Sequence, residues 1–166
     1  KRNVFATKKI TYYVDDVEYQ PDDEPQGGES QVGAAVTPLE EPTKADWTFS
    51  GWLEEIPSLM PNENLSIHGY FTRKATINGL TYFIEPTKDK TTVVADPDYK
   101  NLSDVSVPVS ITFEGKKYSV TAIEENAFKD CKNLQSVELS TSLQSIGKSA
   151  FAGCSDLKSI YCYAEE

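Results

Sequence analysis

"NAFKDCKNLQSVEL", residues 126–139, and "SAFAGCSDLKSIYC", residues 149–162, are one pattern written twice. A shift of 23 residues lays Ile146 on Ile123, Ala150 on Ala127, Phe151 on Phe128, Cys154 on Cys131, Leu157 on Leu134, Ser159 on Ser136 and Ile160 on Val137. Seven matches in a single register describe a unit of construction rather than a reactive site. A fixed period of this size marks coils that stack. One coil cannot bury its apolar face alone, whereas neighbours about 4.8 Å apart build a continuous core.

Inside each coil the order L-x-x-V/I-x-L/C sets Val137 and Leu139, then Ile160 and Cys162, on one face of a short strand, because successive side chains alternate. Ile123 and Ile146 open a second apolar stretch. Ala127-Phe128 and Ala150-Phe151 fall where a tight turn takes one small and one large buried residue. Cys131 and Cys154 then read as small apolar rungs, one per coil. A Cys131–Cys154 disulfide between neighbouring coils is the competing reading. Cys162 replaces Leu139 in the repeat and reads as packing too. Three cysteines without a CxxC pair, beside one histidine, supply no zinc ligand set.

These residues resemble the BspA-like type of bacterial leucine-rich repeat, whose units read I-x-x-x-A-F-x-x-C-x-x-L-x-x-I. The likeness is strong over 120–166 and looser through "INGLTYFI" and "VPVSITFEGKKYSV", which resemble the irregular strands that open such arrays. It implies full coils at 120–142 and 143–166, preceded by irregular capping strands at 74–119. One departure stands out: Glu124 occupies the place that Gly147 holds in the next coil.

The first half is written differently. "KKITYYVDDVEY" reads as two strands about an Asp15-Asp16 turn, with Ile10, Tyr12 and Val14 alternating against Thr11 and Tyr13. "QPDDEPQGGES" is a long acidic loop. An aromatic cluster, "WTFSGW", and a final strand, "LSIHGYF", follow. "YYVDDVEY", "VGAAVTPLEEPTKADWTFSGW" and "IPSLMPNENLSIHGYFT" together resemble the Listeria–Bacteroides repeat, related to the InlB B-repeat, which implies a small β-grasp-like module at 8–73. The expected fold is therefore mainly β: a β-grasp-like module, a boundary near 72–79, and the start of a leucine-rich-repeat solenoid at 74–166.

Charge narrows the function classes. The 166 residues carry a net −10, with −7 in residues 1–73 and −3 in residues 74–166. Such an excess of carboxylates repels phosphate backbones and anionic lipid, so nucleic acid is excluded as a partner. No apolar run is long enough to cross a bilayer, and membrane insertion of this chain is not expected. The chain begins without Met and reads as a mature or excised product.

Candidate chemistry is sparse. Trp47 and Trp52, with Phe49 between them, offer either a core or a platform for stacking sugars. Alternation sets Trp47, Phe49 and Gly51 on one face and Trp52 on the other. His68 reads as a surface histidine at a sheet rim, without a triad. "DPDYKNLSD", from Asp96 to Asp104, opens like a calcium loop but breaks at Lys100. Glu54-Glu55 and Glu124-Glu125 are carboxylate pairs without an obvious cleft. Catalytic residues, cofactors and metals are expected to be absent.

What remains is the outward face of the coil strands: Ser136, Glu138 and Ser140, then Ser159, Tyr161 and Tyr163. Solenoids bind on such ladders, and tyrosine gives contact area at low entropic cost. With the resemblances, this points to a non-catalytic binding or adhesion protein, extracellular or on a bacterial cell surface, whose partner is an extracellular protein or glycan. A spacer projecting other domains and a carbohydrate-binding accessory are the alternatives. The terminal coil is also a candidate surface for self-association.

Overall fold

The structure is a computed structural model that describes residues 6–20 and 29–163. The core of the expected acidic loop, 21–28, lies outside the described residues. The fold is mainly β, and the described residues include one 3-10 helix and no α-helix. The chain divides into two compact units, Lys1–Arg73 and Lys74–Glu166.

The first unit holds β1 (Thr7–Lys8), β2 (Ile10–Val14) and β3 (Val17–Glu18). Asp15 and Asp16 take φ of 50° and 64°, the left-handed pair that a tight hairpin requires, so Val14 faces Val17 and Tyr13 faces Glu18. The turn is held further by Asp15, whose carboxylate accepts from the Phe71 amide at 2.9 Å. β4 (Ser30–Gln31) pairs with β1, and β5 (Thr48–Phe49) precedes β6 (Leu65–Gly69). β6 runs parallel to β2 from Ile10 opposite Leu65 to Val14 opposite Gly69. The unit ends within β7 (Phe71–Ile77), whose first residues pair with β5.

Strands of two residues bury little by themselves, so aromatic rings supply the core. Trp52 meets Tyr12 edge-on at 4.9 Å and Phe49 at 5.0 Å, and Phe49 meets Phe71 at 5.6 Å. Alternation alone separated Trp52 from Phe49. Gly51, at φ 80°, turns the chain and brings Trp52 into the same cluster. Trp47 is half-buried, with the Lys44 ammonium 4.2 Å above its ring.

In the second unit β8 (Leu80–Ile84) neighbours β7 through the turn Asn78-Gly79, and β9 (Lys90–Val93) follows. A 3-10 helix over Pro97–Asn101 is capped by the Asp96 side chain, which accepts from the Asp98 amide. Then come β10 (Asp104–Val107), the hairpin of β11 (Ser110–Phe113) with β12 (Lys116–Ile123), β13 (Ser136–Leu139), β14 (Ser145–Ile146) and β15 (Ser159–Cys162).

Two stacks of parallel strands organise these elements. β10, β13 and β15 form one sheet in which Val105, Val137 and Ile160 lie side by side. In the other, Val93, Ile123 and Ile146 line up on β9, β12 and β14. Residues 74–119, expected as irregular capping strands, therefore contain a further rung. "KNLSDVSV" at 100–107 repeats "KNLQSVEL" at 132–139 with an offset of 32 rather than 23. The β11 hairpin lengthens the connection after this strand, and the turn before it is shortened, which hides the period. Between the sheets runs a column of rings: Tyr99 stacks on Phe128 at 4.7 Å, and Phe128 on Phe151 at 5.2 Å with planes 2° apart.

The turns repeat as well. Asn126 and Ser149 take φ of 60° and 58°, and Asp130 and Gly153 take 60° and 78°. Gly147 answers a contact: an added Cβ there would stand 2.2 Å from the Glu125 nitrogen and 2.5 Å from the Glu124 carbonyl carbon. Glu124 stands at the corresponding place one coil earlier, where one extra residue lies between Val93 and Tyr99, and its carboxylate accepts from the Ala95 amide at 3.3 Å.

Candidate functional site: the outer face of the parallel sheet

Parallel pairing in register turns the strand sequences of β10, β13 and β15 into a grid. Facing inward are Val105, Val137 and Ile160, then Val107, Leu139 and Cys162. Facing outward, Asp104 adjoins Ser136 and Ser136 adjoins Ser159, while Ser106 adjoins Glu138 and Glu138 adjoins Tyr161. A last row carries Ser140 and Tyr163, the Tyr163 amide bonding the Leu139 carbonyl at 3.3 Å. Of the six residues expected on this face, Ser136, Glu138, Ser159 and Tyr161 lie in β13 and β15, while Ser140 and Tyr163 follow the ends of those strands. Asp104 and Ser106 extend it, and sequence reasoning missed both because their strand sits off the 23-residue register. The signal was there in "KNLSDVSV".

The chemistry of the face is uneven. Ser136 donates to the Asp104 carboxylate at 2.5 Å and Ser103 donates to it at 2.7 Å. The Ser136 hydroxyl, then that of Ser103, hold this carboxyl below its usual range. Ser140 donates to the Pro108 carbonyl at 3.1 Å. Glu138 makes no hydrogen bond or ion pair among the described residues. Tyr161 and Tyr163 are 53% and 58% exposed, which leaves most of both rings in water.

A cavity of about 240 Å³ opens where β10 and β13 end, walled by Glu138, Tyr163, Ser140, Pro108 and Val109, with Leu139 beneath. A wider depression of about 480 Å³ lies by the β8–β9 connection, lined by Phe83, Glu85, Lys88 and Asp89 among others. Its charges are mixed, and Lys116 pairs with Asp89 at 3.2 Å beside it.

The remaining candidates have other roles. His68 gives Glu54 two contacts: its amide donates to one carboxylate oxygen at 2.6 Å, and its Nδ1 lies 2.9 Å from the other. The imidazole stacks on Tyr13 at 5.1 Å. Partial burial pushes the Glu54 carboxyl up, but the bonds from His68 outweigh it and hold the group low. Asp96 is taken by the Thr81 hydroxyl at 2.6 Å and by the Asp98 amide. Cys131, Cys154 and Cys162 are all unbridged, respectively buried, half-buried and exposed. Burial raises the Cys131 and Cys154 thiols, keeping them protonated.

Residues 99–165 match the family described as BspA type Leucine rich repeat region (6 copies). Three solved structures are similar. A leucine-rich repeat protein from Bacteroides capillosus is 30% identical, with a TM-score of 0.48 over 54% of this chain and 64% of its own. A leucine rich cell surface protein from Faecalibacterium prausnitzii is 22% identical, with a TM-score of 0.47 over 54% of this chain and 23% of its own. A leucine-rich repeat protein from Bacteroides ovatus is 27% identical, with a TM-score of 0.47 over 52% of this chain and 22% of its own. The matched part of each thus falls short of its full length. No curated protein matches the chain.

Proposed function

We propose that the chain is a non-catalytic binding module of a secreted or surface-attached bacterial protein, and that it presents the outer face of the β10–β13–β15 sheet to an extracellular protein or glycan. The repeat match over 99–165 supports the class. The observation that carries the reading is the pair of exposed tyrosines, Tyr161 opposite Glu138 in the strand register and Tyr163 just beyond it, its amide bonded to the Leu139 carbonyl. Rings held on a rigid ladder lose little entropy when they are covered. The first unit, in this reading, is a β-grasp-like module of the Listeria–Bacteroides type that carries no catalytic group.

The test is binding of the whole chain to an array of extracellular-matrix proteins and glycans beside the variant Tyr161→Ala/Tyr163→Ala. Binding lost in a variant whose circular dichroism is unchanged supports the sheet as the site. Binding that survives the double substitution removes it.

Self-association is a second reading with its own observation. Ile160 and Ile146, inward positions of the last rung, are 47% and 48% exposed, beside strands whose outer edges have no partner among the described residues. Sedimentation that is independent of concentration, with Ile160→Lys behaving as the parent, would remove it.

A further inference from the structure

We infer that the cavity at the end of β10 and β13 is a receptor for a basic side chain, arginine or lysine, borne by an extended polypeptide laid across the sheet. This rests on the sheet being the binding face, and it names the chemistry of what that face accepts.

Hydrogen-bonding capacity decides the polarity of the ligand. Ser136 and Ser140 donate to acceptors within the protein, to Asp104 and to the Pro108 carbonyl. The face has therefore used these two donors, and the Asp104 carboxylate with one of them, while the Glu138 side chain at the cavity is unpaired among the described residues. No Lys or Arg occupies the six paired outward positions, Asp104, Ser106, Ser136, Glu138, Ser159 and Tyr161. A site rich in acceptors and free of cations matches a ligand rich in donors and positively charged. The chain's net −10 reinforces this at longer range.

Shape decides the size. At about 240 Å³ the cavity is smaller than the roughly 300–1,000 Å³ of small-molecule pockets. It suits one side chain better than a cofactor or an oligosaccharide. Its walls suit an arginine or lysine in particular. Pro108 and Val109, the latter 54% exposed, meet an aliphatic stem. Tyr163 and Glu138 line the same cavity, one supplying an aromatic ring and the other a carboxylate for a cationic head. Outward positions repeat at every second residue along a strand, so a partner strand with basic residues in alternation keeps successive heads on the same face.

The test uses the whole chain, labelled with nitrogen-15, titrated with a six-residue peptide that alternates threonine and arginine. The same peptide with citrulline for arginine, one with glutamate for arginine, and maltoheptaose serve as comparisons. The expected result is saturable binding of the arginine peptide, with amide shifts centred on Glu138, Ser140 and Tyr163. Binding should weaken by about tenfold with citrulline or in Glu138→Gln and should fall as salt rises. Equal binding of arginine and citrulline peptides, shifts centred elsewhere, or no saturation by the arginine peptide overturns the inference. Maltoheptaose bound through Tyr161 and Tyr163 but indifferent to Glu138→Gln would sink it while leaving the sheet as a binding face. Loss of all partners' dependence on those tyrosines in the array would sink the face itself.

Discussion

The second and third rungs share a pattern but not an environment. Val137 is fully buried and Ile123 is 2% exposed, whereas their counterparts Ile160 and Ile146, 23 residues on, stand near half exposure. Leu134 is buried while Leu157 is half-buried, and Cys131 is buried while Cys154 is half-buried. The side chains are equivalent; the neighbours are not. A coil's stability is thus a property of the pair of faces it touches, as nearest-neighbour accounts of repeat proteins require. Each comparison between the rungs accordingly measures what a covering neighbour contributes.

The largest expected difference lies in the ring column. Phe128 is sandwiched between Tyr99 and Phe151, so Phe128→Ala should cost about 3–5 kcal/mol in urea unfolding followed by circular dichroism. Phe151→Ala, with a ring on one side only, should cost roughly half of that. Equal losses would mean that the last rung is covered in solution.

A smaller effect separates Gly147 from Glu124. Gly147→Ala drives a methyl into the backbone at Glu124 and Glu125, contacts that no side-chain rotation relieves, and should cost about 1–3 kcal/mol. Glu124→Gly, at the corresponding position, should cost about 0.5–1 kcal/mol, mainly through unfolded-chain entropy. The reverse order of unfolding midpoints would contradict the tight approach of these two coils.

The smallest effect is electrostatic. Asp104 is held low by Ser136 and Ser103, so its folded carboxyl ionises at lower pH than its unfolded one. Its contribution to stability is present above the unfolded value, near 3.9, and disappears as pH falls through the folded value. Unfolding midpoints measured from pH 6 down to pH 2 should therefore fall less steeply in Asp104→Asn than in the parent. Parallel curves would show that the hydroxyl bonds to Asp104 do not distinguish folded from unfolded chain.

The two units were legible to different degrees for related reasons. In the second, the repeat makes the inward ladder and the aromatic-plus-small turn legible in the sequence. It failed at Asp104 and Ser106, because a hairpin inserted after their strand breaks the spacing while leaving the strand intact. In the first, the Asp15-Asp16 hairpin was written in turn residues. The aromatic cluster was not, since alternation assumes an extended chain and Gly51 departs from one.

Sequence by itself determined what is local or periodic. It set which residues alternate, where the chain turns, and that Phe128 and Phe151 occupy one column. Only tertiary structure decided which outward residues share a face with Asp104, and that Ser140 spends its hydroxyl on Pro108 while the Glu138 side chain has no hydrogen bond or ion pair among the described residues. It also decided that Ile160 lies open where Val137 is sealed. The physical reason is that burial and hydrogen-bond satisfaction belong to contacts between rungs, and a period can announce those contacts only while its spacing is unbroken.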